Sequence, residues 1–141
     1  MGRGTPEPPP DEPGSEPLPK VAVVGPSAAG KSTLITALRA AGYNARHVAQ
    51  EHSYVPDMWL RISKPDVLIY LDVSYEASRR RRPLVGWRSD RREVEVHRLR
   101  HARAHADLII HTDDLSPAEI QRQVFVFLQE WRGNHGRQAH R

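Results

Sequence analysis

The sequence predicts a three-layer α/β fold, a mostly parallel sheet of four to five strands with helices on both faces. Three observations carry this. Short continuous apolar runs bounded by Gly, Pro or Asp alternate with stretches of helical period, the pattern of a parallel sheet covered on both sides. A glycine-bearing loop, Gly25 to Ser32, stands between the first such run and the first helical stretch. The chain has 141 residues, which suits one small domain.

The elements follow in order. Lys20 to Gly25 (KVAVVG) is a Val-rich run ended by Gly-Pro and reads as a buried strand. After the loop, Leu34, Ile35, Leu38 and Ala41 recur at helical spacing over Lys31 to Ala41, and Gly42 stops that helix. Arg46 to Gln50 is a weaker strand signal, and Pro56 to Ser63 reads as a short helix ended by Pro65. Asp66 to Asp72 (DVLIYLD) is the clearest strand pattern in the chain. A helix begins at Tyr75 and runs into Arg79 to Arg82; Pro83 to Gly86 breaks it; a second charged helix covers Arg91 to Ala106. Asp107 to His111 (DLIIH) is the last strand. Ser116 as N-cap, Pro117 at the first helical position and Glu119 three residues on make a capping box. Ile120, Val124, Phe127, Leu128 and Trp131 then form an apolar stripe, with Gly133 as its expected end and 133–141 as a frayed terminus.

Residues 1–19 hold seven prolines and, after the first Met, one sizeable apolar residue, Leu18. Such a segment cannot bury enough surface to offset its ordering entropy, so it is expected to be a disordered tail, leaving 20–132 as the domain. Charge is unevenly placed. The whole chain carries +4; the tail is net −3, and residues 79–103 carry ten Arg against Asp90, Glu93 and Glu95. The rest is balanced. A basic segment on a neutral body points to a local polyanion site. The absence of Cys excludes disulfides, thiolate metal sites and Cys nucleophiles. No apolar run approaches the roughly 18 residues of a membrane span, and no signal-type stretch opens the chain, so the expectation is cytoplasmic, with no membrane partner.

One motif carries chemistry. Gly25-Pro26-Ser27-Ala28-Ala29-Gly30-Lys31-Ser32 fits G-x-x-x-x-G-K-[ST] in full, and Thr33 follows. A loop of this length wraps a phosphate with backbone N–H groups, and the helix N-terminus adds partial positive charge there. Lys31 reaches the outer phosphates and the Ser32 hydroxyl can ligate Mg²⁺.

Here the chain resembles the P-loop kinases, the small nucleotide and metabolite kinases. The resemblance rests on Gly25 to Thr33, on Asp66 to Ser74 with Glu76 and Arg79 to Arg82, and on Ala106 to Pro117. It implies a P-loop NTPase fold, ATP with Mg²⁺, and transfer of the γ-phosphate to a nucleotide, nucleoside or small metabolite. It further implies that 79–105 is an arginine-bearing LID-like segment and that the loop holding Asp114 edges the adenine pocket. The nucleotide would be held by Gly25, Ser27, Ala28, Ala29, Gly30, Lys31, Ser32, Thr33, Arg79 and Asp114. The chain departs from the family in two ways. A strand-helix unit between Ala41 and Asp66 is missing, and no Asp-Arg pair follows the corresponding strand.

Phosphoryl transfer needs a carboxylate to orient the nucleophile or hold the metal. Glu51 is the first candidate: by the resemblance it matches either the substrate-side carboxylate or, if its strand lies beside the first, the Walker B acid. Asp72 ends an apolar run and is the rival metal ligand, or else a helix N-cap. The catalytic set is thus Lys31, Glu51, Asp72 and Arg82, with Ser32, Glu51 and Asp72 as metal ligands. Arg79 or Arg80 would flank adenine. The later ones of the run Arg79 to Arg82, with Arg88, Arg91 and Arg92, would neutralise transferring charge, or the run is a solvated basic face. His52 is a possible acceptor ligand. His97, His101 and His105 recur every four residues and could share a metal, though a polar helix face explains them more simply. Tyr54, Met58 and Trp59 suit an acceptor pocket or the core.

Three functions compete: a small P-loop kinase; a nucleotide-binding regulatory module or slow NTPase without an acceptor; and a nucleic-acid binder using 79–103. The third is disfavoured, because a single-strand binder interleaves basic charge with aromatics and that window holds only Trp87. A GTP switch is disfavoured by the lack of N-K-x-D.

Overall fold

The computed structural model describes residues 18–26, 28–48, 64–81 and 89–139. Strands are β1 (Lys20–Val24), β2 (Asn44–His47), β3 (Val67–Asp72) and β4 (Leu108–His111). Helices are α1 (Lys31–Ala40), α2 (Tyr75–Arg81), α3 (Ser89–His105) and α4 (Pro117–Ala139). The four strands form one all-parallel sheet in the order β2-β1-β3-β4. With helices on both faces, this is a three-layer α/β fold compatible with the P-loop architecture.

The two sheet faces are two cores. Val21, Val23, Val67, Ile69 and Leu71 point to one side, where they meet Leu34, Ile35 and Leu38 of α1, Ala77 of α2 and Ile120, Val124 and Leu128 of α4. Ala22, Val24, Leu68 and Tyr70 point to the other, under Leu99 and Ala102 of α3. Alternate residues of a strand point to opposite faces, so strands covered on both sides are apolar at nearly every position. β1 and β3 show this: Val21 to Val24 and Val67 to Leu71 are all buried.

Two aspartates set the strand starts. Asp66 accepts from the Lys20 N–H at 2.8 Å while its own N–H donates to the Lys20 carbonyl at 3.0 Å. Asp107 does the same one strand over, accepting from Leu68 N–H at 2.7 Å and donating to Leu68 O at 2.8 Å. These backbone groups would otherwise lack ladder partners.

The sequence placed several boundaries differently. β2 covers Asn44–His47, earlier than the expected Arg46–Gln50, because the turn after α1 delivers the chain directly into register with β1, Lys20 opposite Asn44. That turn is a left-handed C-cap: Gly42 has φ 97, its N–H bonds Arg39 O at 3.0 Å, and Tyr43 N–H bonds Leu38 O at 3.0 Å. α4 does not stop at Gly133 but continues to Ala139. Without a positive φ there, glycine only weakens a helix rather than ending it. The short helix expected over 56–63 lies outside the described residues, as does the tail before Leu18. Among the described residues no helix is long and apolar enough to cross a membrane.

The capping box forms as the residues predict. Glu119 N–H donates to Ser116 Oγ at 3.1 Å, and Ser116 N–H donates to Glu119 Oε1 at 2.8 Å. The Ser116 N–H, then the Ser116 hydroxyl, favour the ionised form and hold the Glu119 carboxyl below its usual range.

Candidate functional site

The loop after β1 turns at the carboxyl edge of the sheet, where ligands of parallel α/β proteins sit. Gly25 leaves β1 at φ 153, and a Cβ there would lie 2.1 Å from the Leu71 carbonyl oxygen. Only glycine lets the loop pass this close to β3. Ala29 N–H bonds Pro26 O at 3.3 Å, closing a four-residue turn whose third member, Ala28, has φ 69. Gly30 follows in the left-handed region, φ 97 and ψ 22, as the N-cap of α1 without any side-chain cap. Left-handed residues at alternate positions gather successive N–H groups into an anion-binding concavity. The open N-terminus of α1, 10 residues long, adds its dipole.

Lys31 is nearly buried, and its ammonium sits inside this loop. Nζ donates to the Gly25 carbonyl and, at 3.2 Å, to the Pro26 carbonyl. The loop thus holds a cation against the carbonyls of its own start. Ser32 and Thr33 are exposed in the first turn of α1. Thr33 lines a shallow, largely apolar cleft with Gly30, Leu34, Pro117 and Ile120. Ala29 is buried beneath the loop. Ser27, Glu51 and Arg82 lie outside the described residues, as do His52, Tyr54, Met58, Trp59 and Arg88. The strand preceding Glu51 does pair directly with β1.

Asp72 ends β3 on the opposite side of the sheet from α1. It is not the N-cap of α2: that is Ser74, whose Oγ accepts from Ala77 N–H at 3.1 Å. The reason is distance along the chain, since an N-cap must immediately precede its helix. Asp72 instead accepts from Val73 N–H at 3.0 Å and stands 3.2 Å from His111 Nδ1 and 3.8 Å from Arg103 Nη2. Arg103 also lies over the Tyr70 ring, 5.7 Å from its centre, and Arg92 Nη2 donates to the Val73 carbonyl. Burial, then the Asp72 charge, pushes the Tyr70 hydroxyl up to about 12, against the opposing pull of Arg103 and Arg92.

The arginines of α2 divide by helix phase. Arg79 lies over the Tyr75 ring at 5.6 Å, along the helix surface. Arg81 crosses to the glycine loop. Its Nη1 donates to Ala28 O at 2.7 Å and Thr112 Oγ1 at 3.2 Å, and its Nη2 donates to Thr112 O at 2.6 Å. The sequence offers Arg79 to Arg82 together as phosphate-facing candidates, with Arg79 and Arg82 as the site residues, and does not separate Arg81 from its neighbours. Ala77 and Ser78 are the buried positions of this helix, and Arg81 lies one turn on from Ala77, on the same face.

Past β4, Thr112 is fully buried; its N–H and Oγ1 donate to Asp72 O at 2.9 and 2.8 Å. Asp113 accepts from Ser74 N–H at 2.8 Å. The Ser74 bonds, then the charges of Arg81 and Arg80, hold its carboxyl below the usual range. Asp114 is exposed in the same turn. On α3, His101 and His105 stack with centroids 4.2 Å apart, and His105 Nδ1 lies 2.8 Å from His101 O. No group of three His, Cys, Asp or Glu able to hold a metal occurs among the described residues.

No family model matches the chain, and no curated protein matches it.

Proposed function

We propose that the chain is an ATP-binding P-loop protein of the cytoplasm, acting as a kinase that transfers the γ-phosphate to a nucleotide, nucleoside or small metabolite. The observation that carries this is the loop itself. Two left-handed residues, Ala28 and Gly30, turn it around the α1 N-terminus, and the Lys31 ammonium is held inside it. Donor N–H groups, a helix dipole and a fixed cation converge on one point, the chemistry that a polyphosphate requires. Of the described side chains, Lys31 would bind the outer phosphates and Ser32 would hold Mg²⁺. When bound, the metal would neutralise charge on the β- and γ-oxygens.

One observation favours a second reading, a nucleotide-binding module or slow NTPase without an acceptor. Asp72 faces away from α1 and is engaged by His111 and Arg103. A metal there would compete with these two partners for Oδ2, and the other candidate acid is Glu51. Nucleic acid remains the weakest partner.

The test is ADP release from Mg·ATP by the full chain, alone and with pooled acceptors, beside Lys31→Ala. Acceptor-dependent release that disappears in the variant supports the kinase. No turnover with any pool, while ATP still raises the melting temperature of wild type but not of Lys31→Ala, leaves the nucleotide-binding module. No effect of ATP on either protein overturns both.

A further inference from the structure

Ala28 occupies a backbone conformation that alanine adopts reluctantly, φ 69 at the third position of a turn where glycine is the usual residue. Its carbonyl is also the one loop atom among the described residues that a distant side chain is seen to grasp, Arg81 Nη1 at 2.7 Å. Arg81 is itself fixed by Thr112 through two further bonds, and Thr112 is buried and tied to Asp72 O at the end of β3. Helix α2 is held at its other end by the same segment, through Asp113 and Ser74 N–H. The arginine therefore reaches the loop from a rigid base.

We propose that Arg81 is a positioning residue for the nucleotide site: by holding the Ala28 carbonyl it keeps the loop in its left-handed, anion-cradling turn and couples the loop to the segment after β4. The proposal rests on the nucleotide-binding reading for its consequence but not for its mechanism. The planar guanidinium suits this task because its two terminal nitrogens meet three acceptors in fixed directions, which an ammonium cannot do. Its partners, Ala28 O, Thr112 Oγ1 and Thr112 O, are neutral oxygens, so it acts on the loop through geometry, and Ala28 is the point where geometry is costly.

A thermodynamic cycle separates this role from direct phosphate contact. Mg·ATP affinity is measured by calorimetry for wild type, Arg81→Ala, Ala28→Gly and the double variant. Glycine adopts the left-handed turn unaided, so the need for Arg81 should shrink beside it. Arg81→Ala should weaken binding about tenfold in the native background and less than about threefold beside Ala28→Gly. Equal loss in both backgrounds means that Arg81 contacts phosphate itself, and it overturns the proposal. Unchanged or tighter binding by Arg81→Ala overturns it as well.

Amide exchange of Ala29, whose N–H closes the turn onto Pro26 O, gives a readout without nucleotide. It should quicken in Arg81→Ala and in Thr112→Val, with the melting transition still cooperative. Unchanged Ala29 exchange in both overturns the positioning role. If wild type fails to bind Mg·ATP while Ala29 exchange responds as expected, the nucleotide reading fails and the positioning of the loop stands.

Discussion

Gly25 and Leu71 approach so closely that no side chain fits between them: a Cβ on Gly25 would come within 2.1 Å of the Leu71 carbonyl oxygen. The contact joins the start of the glycine loop to the strand that ends in Asp72. Because the obstacle is backbone in a central strand, it cannot swing aside as a side-chain tip could.

Gly25→Ala should therefore displace the loop or part β1 from β3. The φ of 153 adds strain of its own. The expected loss of stability is at least about 2 kcal/mol, read from urea unfolding. A variant as stable as wild type would show that the two strands are less tightly juxtaposed than described.

Tyr70 should titrate late. Its hydroxyl is pushed from 10.0 up to about 12, chiefly by burial. A raised pKa in the folded state means that the neutral phenol contributes stability in full below the unfolded value, and that this contribution is lost as pH rises from 10 towards 12. Wild type should lose stability across that window more steeply than Tyr70→Phe, measured by urea midpoints at stepped pH. Parallel curves for the two proteins would contradict a buried, neutral Tyr70.

The acid limb should report Asp113. Its carboxyl is held low, first by the Ser74 hydroxyl and then by the Ser74 N–H. The stability that this contributes is present above the ordinary carboxylate range and is lost as pH falls through the lowered pKa. Ser74→Ala should shift the Asp113 carboxyl resonance titration upward and, through loss of the α2 N-cap, cost about 1 kcal/mol. An unmoved Asp113 titration would mean that the backbone N–H and the arginines suffice.

Lys31→Ala separates architecture from binding. The ammonium donates to the Gly25 and Pro26 carbonyls of the loop, whereas the sheet and both cores are built from apolar side chains. The variant should fold yet lose the stabilisation that saturating Mg·ATP gives wild type, about 2.7 kcal/mol at a hundredfold excess over Kd. Equal stabilisation of both proteins would remove Lys31 from the nucleotide site.

Much was legible in the sequence because it is written in short-range pattern. KVAVVG, VLIYLD and DLIIH declare buried strands by continuous apolarity. The glycine loop declares itself by spacing, and Ser116 with Glu119 by a capping relation three residues long. Each of these is decided within one element, where backbone sterics and local hydrogen bonds dominate. Other features depend on neighbours far away in sequence. The order β2-β1-β3-β4 and the start of β2 at Asn44 follow from strand pairing. That Ser74 and not Asp72 caps the helix, and that Asp72 stands beside His111 of β4 and Arg103 of α3, follows from how those elements pack. Four consecutive arginines look alike as text, yet helix phase aims Arg79 along its own helix and Arg81 at Ala28. Composition and spacing thus determined which elements exist and where the loop lies. Packing decided which side chains meet there, because a side chain's direction is set by the register and phase of an element against its neighbours.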